Sequence, residues 1–200
     1  MNMKKGIKRP PPAPYTINSA VDVFLKLEFD KHREDGTAHY LMKKYNIDAI
    51  PYKCEEIAIW KHNFTGIQYE HTKSGFLVYG AVDDVWINPQ GELIVVDYKA
   101  TGAKEYKIYD QYKRQMEIYQ WLLINKGYKV SLTGYFIFAK VNKDCGFEQG
   151  KLTFDLFIEP LEGDTSWIED AILGARKALD EAIPESKSSC PYCQFAQGAK

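Results

Sequence analysis

The sequence predicts an α/β domain with a mixed central β-sheet flanked by helices. Three patterns point there. An amphipathic helix opens the chain after a proline-rich start, a β-hairpin pattern fills residues 76–101, and a long helical stripe then precedes two more strands.

Each element follows from its residues. From Thr16 the apolar residues Val21, Phe24 and Leu25 recur at helical spacing, with Thr16 or Asn18 as cap, and the pattern runs to about His32, before Glu34-Asp35-Gly36 interrupts it. A second short helix is expected from Thr37 to Tyr45, and residues 46–65 fit neither period. Ile67 to His71 reads as a strand, and so does Phe76 to Ile87. Asn88-Pro89-Gln90-Gly91 is turn chemistry, and Glu92 to Lys99 returns as the partner strand. A helix is expected over residues 105–126. Ile108, Tyr112, Met116, Tyr119 and Leu123 form its stripe, and Gly127 ends it. Strands at 129–141 and 152–158 surround a loop with Asp144 and Gly146, and a last helix spans about 166–182.

At 200 residues, one domain is expected by a prior of roughly 100–200 residues per domain. It is expected over 15–200, with residues 1–14 as a flexible basic and proline-rich arm. Lys and Arg total 26 against 27 Asp and Glu, a net charge of −1, so no overall basic excess argues for non-specific nucleic-acid binding. No apolar run of about 18 residues predicts a membrane span. The basic start runs into Pro10-Pro11-Pro12 without an apolar stretch, so no secretory signal is read. With four cysteines, a reducing, cytoplasmic setting is expected.

The functional reading rests on the hairpin. Alternation puts Asp97 and Lys99 on one face of their strand. A three-residue loop, Pro89-Gln90-Gly91, pairs Asn88 with Glu92 and sets Asp83 opposite Asp97, with Gly91 in the left-handed position; a four-residue loop would put the two carboxylates on opposite faces. Two carboxylates among Val82, Val85, Ile94, Val95 and Val96 repel and are costly to bury. A divalent cation resolves this, since Mg²⁺ takes one or two carboxylates with water and phosphate oxygens. The Tyr98 main-chain carbonyl is a further hard donor. Such a centre suits phosphodiester hydrolysis: the metal activates water, and Lys99 orients or deprotonates it and offsets developing charge. Asp84, the rival ligand, falls on the other face, solvated or paired.

These residues resemble a known signature. Gly80-Ala81-Val82-Asp83, followed by Asp97-Tyr98-Lys99, resembles the G-x-x-D … (D/E)-x-K pattern of the PD-(D/E)XK nucleases. Gln115 and Tyr119, at i and i+4, are similar to the Q-x-x-x-Y motif of the RecB-like branch, which includes CRISPR-associated RecB-like exonucleases. The resemblance implies a restriction-endonuclease-like core and Mg²⁺ or Mn²⁺ as cofactor. It implies Asp83, Asp97 and Lys99 as catalytic residues, with Gln115 and Tyr119 shaping the site and its DNA contacts. The family's upstream histidine ligand carries over to His39 in Gly36-Thr37-Ala38-His39. The implied substrate is DNA, single-stranded or with free ends, in recombination and repair, CRISPR adaptation or mobile-element processing. Recombination, CRISPR or phage proteins are the implied partners, with no membrane.

The tail carries Cys190 and Cys193 in a C-x-x-C. Several RecB-like nucleases close the domain on an iron–sulfur cluster with a further cysteine about six residues on and one near the first helix. Here the former position is Ala199, the first helix has none, and Cys54 and Cys145 sit elsewhere. An iron–sulfur cluster, a zinc site and a degenerate motif with free thiols all stay open.

Two other functions compete. One is an inactive nucleic-acid-binding or scaffold protein on the same fold. The other is an unrelated protein with a chance acidic hairpin, which the ordered set of motifs disfavours.

Overall fold

A computed structural model describes residues 16–182, with residues 185, 187–190 and 193. The expected N-terminal arm lies outside the described residues. The chain divides into two units, Pro11–Ile168 and a second made of Met1–Pro10 with Glu169–Lys200.

In the first unit, helix α1 (Thr16–Asp35) and the short α2 (Tyr40–Lys44) lead to β1 (Ile50–Pro51) and α3 (Ile57–Trp60). A hairpin of β2 (Ile67–His71) and β3 (Phe76–Gly80) follows, then β4 (Asp84–Ile87) and β5 (Leu93–Thr101). Helix α4 (Asp110–Asn125) crosses to β6 (Thr133–Val141), and a 3₁₀ turn (Glu148–Gly150) precedes β7 (Phe154–Glu162). Helix α5 (Ile168–Asp180) runs into the second unit, where Arg176 pairs with Asp180 one turn on. Among the described residues no helix is long and apolar enough to cross a membrane.

The main sheet has the order β1-β4-β5-β6-β7 and is mixed: β5 and β6 run parallel, and the other neighbours are antiparallel. The parallel pair requires a crossover, which α4 supplies. β5 is apolar from Leu93 to Val96 because both its faces are covered. On one face, Trp86, Ile94, Val96, Tyr98, Ile137 and Ala139 pack under Leu25 and Phe29 of α1 and Leu41 and Met42 of α2. On the other, α4 lies against β5 and the β2–β3 hairpin, with Tyr69 edge-on to Trp121 at 5.3 Å.

Three local expectations change. Residues 76–87 are not one strand: the chain leaves β3 at Gly80 and enters the main sheet at Asp84, and between them the Val82 N–H donates to the Trp60 carbonyl. Phe24 is exposed, while Leu25 and Phe29 make the buried stripe of α1, one turn apart. The central helix begins at Asp110, because residues 102–109 form a loop across the sheet.

Candidate active site

The β4–β5 turn sets the register. The Asn88 N–H donates to the Glu92 carbonyl at 3.1 Å, Ile87 pairs with Leu93, and Asp84 pairs with Val96. The loop is thus Pro89-Gln90-Gly91, with Gly91 at φ +74°, and residue 83 falls opposite residue 97.

Asp83 sits just before β4 begins, where the ladder opens. One of its carboxylate oxygens accepts the Tyr98 N–H at 2.9 Å, and the other lies 3.0 Å from the Lys26 ammonium. Asp97 is buried, and its Oδ2 is held by the Lys99 ammonium in an ion pair. Burial pushes the Asp97 carboxyl up to about 7, and the Asp83 charge adds to this, while Lys99 opposes it. Lys99 also lies 3.3 Å from Gln115 Oε1 and 4.7 Å from the centre of the Tyr112 ring. The Gln115 amide donates to the Tyr119 hydroxyl at 2.8 Å. Tyr119 in turn closes on Gly80, where an added Cβ would lie 2.6 Å from its ring. Gly80, Asp83, Asp97, Lys99, Gln115 and Tyr119 are thereby one connected array.

Asp84 has a different place. It is fully buried, accepts the Tyr98 hydroxyl at 2.8 Å and its neighbour's N–H at 2.8 Å, and pairs with the Arg33 guanidinium of α1. It is a structural anchor.

His39 is not brought to Asp97. Its Nδ1 accepts the Leu41 N–H at the start of α2, and its Nε2 lies 2.8 Å from Glu28. Its ring stacks at 4.2 Å on Phe29, which stacks on Trp86, a side chain of the sheet face opposite Asp97. Desolvation lowers its pKa against the pull of Glu28.

Two residues that sequence reading missed stand beside the carboxylates. Asp22 and Lys26 of α1 pair at 2.9 Å, and Lys26 bridges Asp22 to Asp83. Burial raises the Asp22 carboxyl, and Asp83 raises it further. Burial works against the Lys26 charge, but Asp83 and Asp22 outweigh it and raise its pKa. Their i, i+4 spacing, next to the apolar Val21 and Leu25, was the available signal.

The donors fit a hard divalent cation: the buried Asp97 carboxylate, the Asp83 carboxylate at an open strand edge, and the Tyr98 main chain at that edge. Among the described residues no group of three or more His, Cys, Asp or Glu side chains stands ready for a metal. No disulfide joins Cys54, Cys145, Cys190 or Cys193.

A mixed sheet flanked by helices, with opposed carboxylates and a lysine on its central hairpin, defines a restriction-endonuclease-like α/β protein. The chain belongs to the PD-(D/E)XK nuclease superfamily, whose model matches residues 4–197. The superfamily is one of nucleases, and divalent metals are typical of it. No curated protein matches. The solved structure of SSO0001 is similar at 20% identity over 61% of this chain and 50% of that one, with a TM-score of 0.33. This chain spans half the length of that protein.

Proposed function

We propose that the protein is a Mg²⁺- or Mn²⁺-dependent deoxyribonuclease of the RecB-like branch, a single cytoplasmic nuclease domain that acts on DNA with free ends or single strands. The observation that carries this is Asp83 set opposite Asp97, with Lys99 on the Asp97 face and tied through Gln115 to Tyr119. Asp83, Asp97 and the Tyr98 carbonyl would hold the metal. An extended residue presents its N–H and C=O to the same strand edge, and the Tyr98 N–H already meets Asp83. When bound, the ion would supply an acidified water and polarise the phosphoryl oxygen. Lys99 orients the attacking water and offsets charge on the phosphoryl oxygens. Gln115 holds Lys99, and Tyr119 holds Gln115. His39 has no metal role in this reading, because both ring nitrogens are engaged.

One observation favours a second reading, an inactive binding module: Lys26 already neutralises Asp83. One assay decides between them. Linear single- and double-stranded DNA is incubated with Mn²⁺ or with EDTA. Metal-dependent degradation that falls at least about 100-fold in Lys99→Ala supports the enzyme. DNA retention without cleavage supports the binding module.

A further inference from the structure

The segment from the end of β5 through the first turn of α4 carries a local basic excess. Residues 99–114 hold five cations and two carboxylates, in a protein of net charge −1. The loop lies on the face that carries Lys99. Tyr106 stacks on Phe138 at 4.6 Å and meets Phe157 at 5.1 Å, and Phe138 is the sheet partner of Lys99. One step further along the same face, Lys140 pairs in register with Thr101. There a groove of about 400 Å³ is lined by Lys104, Lys140 and Lys143, with Asn142, Asp144 and Asp155. Asp155 is engaged by Asn142 at 3.2 Å, whereas none of the three lysines has an ion-pair partner among the described residues.

Aromatic rings lead from Lys99 to the surface. Tyr112 lies beneath the Lys99 ammonium, Tyr109 meets Tyr112 edge-on at 5.4 Å, and the Lys107 ammonium stands 4.8 Å from the centre of the Tyr109 ring. Tyr109 is 46% exposed, so its ring is open to a stacking partner.

We propose that this loop and groove form the track for one DNA strand beside the catalytic centre, with a base stacked on Tyr109 and backbone phosphates on Lys104, Lys140 and Lys143. The proposal rests on the nuclease reading and adds the form of the substrate. Lysines alone would take single or double strands. An exposed ring, in contrast, offers stacking only to a base that has left its own stack, so the pair of features selects a single strand.

The test is binding without cleavage. Fluorescence anisotropy in EDTA follows labelled oligothymidylate and a blunt duplex of equal length, on the full chain, between about 50 and 200 mM salt. Wild type is expected to bind the single strand more tightly. Lys104→Ser with Lys143→Ser is expected to reduce the log–log salt slope by about 1.4, at about 0.7 per lost phosphate contact. Tyr109→Ala is expected to weaken single-strand binding at least about fivefold with the slope unchanged. All three side chains are exposed, so folding is not at stake. Equal or tighter duplex binding, no binding, or an unchanged slope in the lysine variant overturns the track. Cleavage by wild type with Mn²⁺ is scored separately, so a failed track leaves the nuclease reading standing, and a silent nuclease with an intact track does the reverse.

Discussion

Asp97 is held where a carboxylate is least comfortable. It is buried beside Asp83, and with no cation present it keeps its proton up to about pH 7. That is characteristic of a residue kept for function rather than stability. Asp97→Asn is therefore expected to stabilise the metal-free protein by about 1 kcal/mol, or roughly 2–4 °C in Tm, while abolishing cleavage; a thermal melt in EDTA at pH 8 measures the first. Asp84 is the opposite case. Its charge is satisfied by Arg33, Tyr98 and a backbone N–H, so removal of Arg33 strands a carboxylate in the core. Arg33→Met is expected to cost about 3–5 kcal/mol in a denaturant titration. The two aspartates thus have opposite consequences, because they lie on opposite faces of the sheet.

At the scale of the elements, the site is a hairpin backed by a helix. Three loop residues fix the register, and Gly80 lets Tyr119 of α4 approach β3. Gly80→Ala is expected to push the Tyr119 ring aside at a cost of about 1–3 kcal/mol, and to lower cleavage through Gln115 and Lys99. A melt and a rate measured on the same sample check both. This much was legible in the sequence: turn residues and alternation specify register, and the i, i+4 spacing of Gln115 and Tyr119 puts both on one helix face. The break between β3 and β4 was not legible, since residues 76–87 read as one strand-like run with Asp83 and Asp84 inside it. What divides them is a tertiary hydrogen bond from Val82 to Trp60. The place of His39 was equally hidden, because a motif position does not reveal that a ring will cap α2 and stack on Phe29. Asp22 and Lys26 were visible as a helix pair, but their approach to Asp83 depends on how α1 crosses the sheet.

For the molecule as a whole, pH and metal act on the same cluster. Between about pH 4 and 7 the folded state holds an Asp97 proton that the unfolded chain releases, so stability of the metal-free protein falls as pH rises through that window and then levels. Melts in EDTA across the range show this slope in wild type and lose it in Asp97→Asn. The most direct test of the two-carboxylate centre is Mn²⁺ binding by calorimetry in wild type, Asp83→Asn, Asp97→Asn and His39→Gln. Binding is expected to be at least tenfold weaker in each aspartate variant and near wild type in His39→Gln. Undiminished Mn²⁺ affinity in both aspartate variants would contradict such a centre.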